Sequence, residues 1–283
     1  MKRLVILLAA TLLPIFASAQ AQINTKKVKI SDFTQKTTMV VLSGNMFYDT
    51  ALEVEIVARW KASPYGFCSV EEFEKLKGSE EYYFLLTTKG QFKKEAEPGL
   101  QFMTLVKGGP KAEGGIAEML EVVSLPIASA EDPSGRETVF LPVFIDIIQE
   151  QALESMESDI SGYTGLSNYS LNLHKTEDMI IVFSEDDLST EITDAVKELN
   201  FDDEMIIAEE EDADEYLSNE TQNAAVSYVA APTDAKPGSY CYKMLIDNHS
   251  HKLYYFKKHR ITKKTGAGFL AEDISRIASY RVN

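Results

Sequence analysis

Nucleophile and base chemistry is thinly supplied in this chain. Its 283 residues include only four histidines and two cysteines, and a nucleophile needs a base within hydrogen-bond reach. No G-x-S-x-G occurs, and no serine is followed three residues later by lysine. Gly165-Leu166-Ser167 begins like a nucleophile elbow, but residue 169 is Tyr and the second glycine is missing. Phosphate loops are wanting too. Gly108-Gly109-Pro110-Lys111 lacks the Walker spacing, and Gly266-Ala267-Gly268 lacks the third glycine of a dinucleotide fingerprint. Both are expected to be turns. The sequence assigns no catalytic residue, no cofactor-binding residue, no metal ligand and no cofactor.

Basic residues are short as well. Lys and Arg number 28 against 44 Asp and Glu, a formal charge of −16. General nucleic-acid binding relies on neutralising phosphates, so it is excluded. Anionic lipid is an equally poor partner. The first meaning of such a charge is solubility.

Long apolar runs are missing beyond the N terminus, so no membrane span is expected. At the N terminus, Lys2 and Arg3 precede an apolar run from Leu4 to Phe16, and Ala17-Ser18-Ala19 follows. This is the pattern of a secretory signal peptide, residues 1–19, cleaved near Ala19 with Ala21 as the alternative. The run is shorter than the about 20 residues that span a bilayer. No cysteine follows it to carry a lipid. The expected address is the periplasm or the outside of the cell. Removing Lys2 and Arg3 deepens the formal charge from −16 to −18. An oxidising address permits a Cys68–Cys241 disulfide. A chain of this size needs no such staple, and two separately buried thiols are favoured.

What is present is an alternation of strand and helix signals, 45% hydrophobic and 25% charged overall, as in ordinary globular proteins. Val28-Lys29-Ile30 reads as a short strand. Thr37 to Ser43 is a β-branched and apolar run, expected as a strand covered on both faces. Asn45 or Asp49 can cap a following helix in which Leu52, Ile56 and Trp60 recur at i, i+4, i+8. The alternation from Leu52 to Ile56 also fits a strand. Phe67-Cys68 reads as a short strand. Ser69 and Glu72 form a capping box for a second helix, which Phe73 and Leu76 bury and Gly78 ends. Tyr82–Leu86, Gly99–Lys107 and Met119–Ser124 read as an antiparallel meander. A long helix is expected over Thr138–Ser158, with Pro142 early, where its missing N–H costs little. Ser161 to Gly165 reads as a linker.

The same order then returns. A strand at Met179–Ser184 leads to a helix from Ser189-Thr190 through Leu199, with Ile192, Val196 and Leu199 as its stripe. A short strand at Glu204–Ala208, a short helix at Asp212–Asn219 and a strand at Ala225–Ala230 follow. Tyr240–Asp247 and Lys252–His259 pair as a hairpin around Asn248-His249-Ser250, and Phe269-Leu270 opens the last helix. The expected fold class is α/β (or α+β), with two tandem diverged two-layer or three-layer halves, residues 20–165 and 166–283. Each half runs strand, helix, short strand, helix, three strands, helix. A tandem duplication is the favoured origin.

Several groups have the residue types that chemistry needs. Cys68, after a short strand and before a helix N-terminus, would gain a lowered pKa there, although a buried cysteine is favoured. His249, His251 and Asp247 lie on one face of the hairpin tip, one ligand short of a firm zinc set; a solvated turn is favoured. Asp202 to Glu215 holds nine carboxylates without the central glycine of an EF-hand. It is a solvated loop or a partner for the basic residues Lys257, Lys258, Arg260, Lys263 and Lys264. Asn168, Asn219 and Asn248 each begin an N-x-S/T triplet. The aromatics Tyr82, Tyr83, Phe84, Tyr240, Tyr242, Tyr254, Tyr255 and Phe256 sit on expected strands. If exposed they form a binding or dimerisation face; core is favoured. These features suggest a secreted or periplasmic non-enzymatic binding or envelope-assembly module. Its partner would be an envelope or extracellular protein, or a second copy of the chain. A hydrolase using carboxylates or a Cys/His site, and a homo-oligomeric structural protein, are the alternatives.

Overall fold

The β-branched run Thr37–Val41 forms strand β1, and Asn45 caps helix α1 (Met46–Arg59) by accepting from the Phe47 and Tyr48 amides. These elements belong to a computed structural model that describes residues 29–92, 95, 97–190, 192 and 204–280. The proposed leader, residues 1–19, lies outside the described residues, as does most of the helix expected to reach Leu199. Leu52, Ile56 and Trp60 are all buried on the sheet side of α1, which decides for helix over strand. Fully burying one such side chain is worth about 1.5–3 kcal/mol.

Strand β2 (Tyr65–Cys68) pairs parallel to β1, and helix α2 (Val70–Leu76) follows with the Ser69/Glu72 capping box formed at both bonds. Strands β3 (Tyr82–Gly90), β4 (Leu100–Lys107) and β5 (Leu120–Ser129) complete a sheet of order β2-β1-β3-β4-β5. β3 is parallel to β1, and β4 and β5 return antiparallel. β5 runs further than expected and carries register shifts opposite Gln101/Phe102 and Leu105/Val106. Such bulges bend and twist a strand.

Three expectations in this half are corrected. Ile30 sits in a turn rather than a strand. It is buried along with Phe33, whose ring packs on Tyr83 at 5.0 Å and Trp60 at 6.3 Å. The chain after β5 forms two helices, α3 (Arg136–Val139) and α4 (Leu141–Glu157), broken at Phe140. Ser161 to Gly165 is no open linker. Helix α5 (Asp159–Thr164) takes up most of it, burying Ser161 and Gly162, and runs into a 3-10 segment, Gly165–Thr176.

The second half repeats the order. Strand β6 (Ile180–Ser184) pairs parallel with β7 (Met205–Ala208) and β8 (Ala224–Ala230); β9 (Tyr240–Asp247) and β10 (Leu253–Arg260) return antiparallel. The sheet order β7-β6-β8-β9-β10 matches that of the first half element for element. Thr190 and Ile192 are helical after β6. Helix α6 (Glu210–Ser218) precedes β8, and α7 (Ala271–Ala278) closes the chain. Gly268 is required at its place. Its φ is +96°, and a Cβ there would lie 2.6 Å from the Ser189 nitrogen.

Among the described residues, helices pack on both faces of each sheet. One core joins the halves. It takes Leu52 and Ile56 from α1, most of α4, and Ala213 and Leu217 from α6. Phe140 and Phe144 meet Tyr228 of β8 at 4.5 and 5.2 Å, so the α3–α4 stretch lies between the two sheets. Phe73 of α2 lies in a separate core on the outer face of the first sheet, and Ile274 and Ile277 of α7 on the outer face of the second. α2 and α6 hold corresponding places in the two halves, yet one is outside and the other inside. The halves therefore stack head to tail, through unlike faces.

Candidate functional site

Open α/β sheets take ligands at the carboxyl ends of their parallel strands. In this chain both such crevices are filled from within. Beyond β1, the Asp49 carboxylate accepts from the Ser43 amide and hydroxyl at 2.9 Å each and from the Gly44 amide at 2.8 Å. Asp49 thus occupies the place where a bound anion would meet these donors, and Asn45 holds the cap.

Beyond β6, the crevice is filled by Arg136, which reaches across from α3. Its Nε lies 3.0 Å from both Asp214 oxygens, and its Nη2 lies 2.8 Å from Asp214 Oδ1 and 3.1 Å from the Ser227 carbonyl. Nη1 lies 3.0 Å from Asp187 Oδ1, and Asp187 in turn accepts from the Ser227 hydroxyl. Arg136 is 6% exposed and lies over the rings of Phe140 and Tyr228. Burial pushes the Asp214 carboxyl up against the opposing pull of Arg136. The acidic stretch around residue 210 thus finds its buried basic partner in Arg136, not in the 257–264 cluster. Lys257 of that cluster instead binds Glu272 and Asp273 on α7.

One concavity between the halves, of about 580 Å³, is acidic, with Glu95, Glu97, Glu131, Asp132 and Asp234 in its lining and no aromatic face; a second is aromatic. This second cleft, of about 500 Å³, is bounded by the end of β3, the start of β4, the first half of β5, by β9 and β10, and by residues 163–167. That volume is ordinary for a small-molecule site. Its aromatic wall runs across the seam. Phe92 lies 4.6 Å from Tyr240 and 6.4 Å from Phe102; Tyr242 lies 6.0 Å from Phe102 and 5.7 Å from Phe256. Gly90 is needed for this wall, because a Cβ there would come within 2.5 Å of the Phe102 ring. Tyr163, 62% exposed, stands at the rim. Lys258 lies 5.4 Å above Tyr240 and 5.9 Å above Tyr242, within reach of a cation–π attraction. Hydroxyls line the cleft as well: Thr88 and Ser124 are each joined through Thr104 in a ladder with 3.1 Å steps across β3, β4 and β5.

The seam is fixed beside the cleft. The β5 bulge leaves Ile127 out of the strand register, and the Tyr228 hydroxyl from β8 donates to its carbonyl at 2.5 Å. The second half thereby satisfies a backbone acceptor that the first half's ladder does not pair.

The other candidates are placed as follows. Cys68 and Cys241 are free and buried, in cores on different sheets. Cys68 does not gain a lowered pKa: burial and the nearby Glu72 push its thiol up to about 11. Cys241 faces His259 across the β9–β10 pair, but burial pushes it also to about 11, and its sulfur accepts from the Gly268 amide. His249 and His251 do not converge. His251 is buried against Asp146 of α4 at 2.7 Å, whereas His249 is exposed and its amide binds Asp247. Among the described residues no group of three or more His, Cys, Asp or Glu is arranged to hold a metal. Asn248 is fully buried, which closes it to glycosylation. Tyr83, Phe84, Tyr242, Tyr254 and Tyr255 are buried, while Tyr82, Tyr240 and Phe256 are half-buried. Reading single strands missed that the half-buried rings at Tyr240 and Phe256 would meet Phe92 and Phe102 from the other half.

No helix among the described residues is long and apolar enough to cross a membrane. No protein-family model, no curated protein and no solved structure matches the chain.

Proposed function

We propose that this chain is an exported, non-enzymatic binding protein that takes its ligand in the cleft between its halves. One observation carries the proposal. The donors at both strand ends are engaged by the chain's own Asp49 and Arg136, and of the two concavities described between the halves this cleft is the one that presents aromatic faces. Partly exposed aromatic walls with a few polar groups are the ordinary make-up of a recognition site. The cleft holds neither cysteine nor histidine, and its one carboxylate, Glu121, has no second acid beside it. Acid–base work of the two-carboxylate kind needs such a pair.

The test is a ligand-observed NMR screen of a small-molecule library against the chain, repeated with Tyr163→Ala and Phe256→Ala. Both side chains are at least partly exposed, so the variants are expected to melt near the parent temperature. Hits should lose roughly tenfold in affinity, about 1.4 kcal/mol, in either variant. Hits indifferent to both substitutions would move the site elsewhere and overturn the reading.

Two further proposals belong to the same picture. Export predicts that the protein recovered outside the cytoplasm begins at Gln20 or Gln22, by N-terminal sequencing; an intact Met1 there would refute it. The halves are proposed to descend from one duplicated unit. An experimental structure should then superpose β1–β5 on β6–β10 to well within the ~4.8 Å spacing between strands. A larger displacement would remove the argument.

A further inference from the structure

We infer that the inter-half cleft is built for a neutral saccharide; this rests on the reading of that cleft as the ligand site. The first argument is charge. The chain carries −16, yet the cleft lining contains one acid, Glu121, and one base, Lys258. A site of balanced charge in so acidic a protein offers no net attraction to a cation or an anion. The ligand must be held by surface contact and hydrogen bonds.

The second argument is the pairing of ring faces with hydroxyls. Phe256 and Tyr163 expose ring surface at the cleft, and Phe102 and Tyr242 back it. An aromatic face carries partial negative charge, and the axial C–H bonds on one side of a pyranose ring present weakly positive hydrogens to it. A sugar therefore stacks by one face and leaves its equatorial hydroxyls pointing sideways. The Thr88 and Ser124 hydroxyls line the same cleft. The Thr104 link between them occupies part of their bonding capacity, and each hydroxyl offers one proton and two lone pairs. Such groups suit a ligand whose own groups both donate and accept. Glu121 supplies acceptors for a vicinal diol, and Lys258 supplies a donor.

Other ligand classes match less of this. A lipid tail needs an enclosed apolar tunnel, whereas this cleft is open and carries Glu121, Lys258 and several hydroxyls in its lining. A nucleotide needs phosphate donors, and the donors at the two strand ends are taken by Asp49 and by the acids around Arg136.

The experiment applies the chain to an array of neutral glycans, and follows cellobiose, maltose and chitobiose by saturation-transfer NMR. Indole is a flat aromatic control. The expected result is saturation of ring C–H protons of at least one glycan, with affinity falling about tenfold in Tyr163→Ala and Phe256→Ala and severalfold in Ser124→Ala. Arg260→Ala, on the exposed end of β10, should change nothing. Indole binding that Phe256→Ala abolishes, with no glycan bound across the array, would overturn the saccharide assignment and leave the cleft as the site. Glycan binding unaffected by all three cleft substitutions would overturn both.

Discussion

Arg136 and Asp214 lie 78 residues apart in the chain, and the guanidinium of one is forked onto the carboxylate of the other inside the protein. One residue comes from the first half's α3 and the other from the second half's α6. Asp187 and Ser227 complete the ring of acceptors. Removing Arg136 would leave Asp214 and Asp187 buried without their cation. Breaking a buried pair by taking one partner costs about 3–5 kcal/mol. Arg136→Met should lose that much stability in urea unfolding. Arg136→Lys should recover little, because an ammonium cannot serve Asp214 bidentately and Asp187 together. A loss below roughly 1 kcal/mol, the typical effect of any substitution, would show that the halves do not depend on this contact.

A second buried pair sets the response to acid. Lys243 of β9 and Asp273 of α7 are both fully buried and in direct contact. Asp273 also accepts from Tyr255, Lys257 and the Leu270 amide. Burial alone would raise its carboxyl, but these donors, Lys243 first, outweigh burial and hold it at about 2 against an ordinary 3.8. A carboxyl depressed on folding stabilises the native state above its unfolded pKa and loses that contribution as pH falls through the folded value. Stability should therefore drop by about 2 kcal/mol between pH 4 and pH 2 from this group. Asp273→Ala should lower stability at pH 7 more than Lys243→Met, since it strands four donors rather than one acceptor. Equal losses would contradict the arrangement.

Much of the fold could be read from local pattern. β1, β3, β6 and β8 are β-branched and aromatic runs with turn residues on both sides. The α1 stripe and the Ser69/Glu72 box each need only residues a turn or two apart. Signals of that kind are written in consecutive residues. The candidate site was not readable in the same way. Phe102 and Tyr242 meet only because two sheets stack, and Phe256 reaches the cleft on a strand whose backbone is held by Ser170 of the 3-10 segment. The role of Arg136 was equally hidden, since Arg136-Glu137 at a helix start gives no sign of burial. The Ser161–Gly165 stretch misled for a related reason. Small and polar residues mark linkers on average, but here Ser161 and Gly162 are small because α4 packs against them, with Gln151 donating to the Ser161 carbonyl.

The thiols give a third expectation. Cys68 and Cys241 are free, buried and pushed to about 11. At pH 8 each should carry roughly a hundredfold less thiolate than an ordinary cysteine, and the thiolate is the reactive form. The native protein should react slowly with alkylating reagents, and the unfolded protein should titrate two thiols. Cys68→Ala should cost about 1 kcal/mol, the scale of removing a methyl-sized group from a core. No thiols on unfolding without reductant would establish a disulfide and refute the separation.

Asp49 offers the most direct view of how the first half closes its own crevice. Its carboxylate takes the Ser43 and Gly44 amides at the start of a 14-residue helix, where backbone N–H groups and the helix dipole favour negative charge. Asp49→Ala removes that internal anion and leaves the donors unpaired, at about 1–3 kcal/mol. Asp49→Asn should fall between, since one amide oxygen can still accept from Ser43 but the nitrogen cannot accept from Gly44. The vacated place should then take an anion from solution. Sulfate should raise the melting temperature of Asp49→Ala more than that of the parent chain, while chloride at equal ionic strength should not. The comparison with the parent removes the general strengthening that sulfate gives any folded protein. Equal gains in both proteins would mean that the Ser43 and Gly44 amides form no anion site, and that Asp49 is merely one more hydrogen-bonded turn residue.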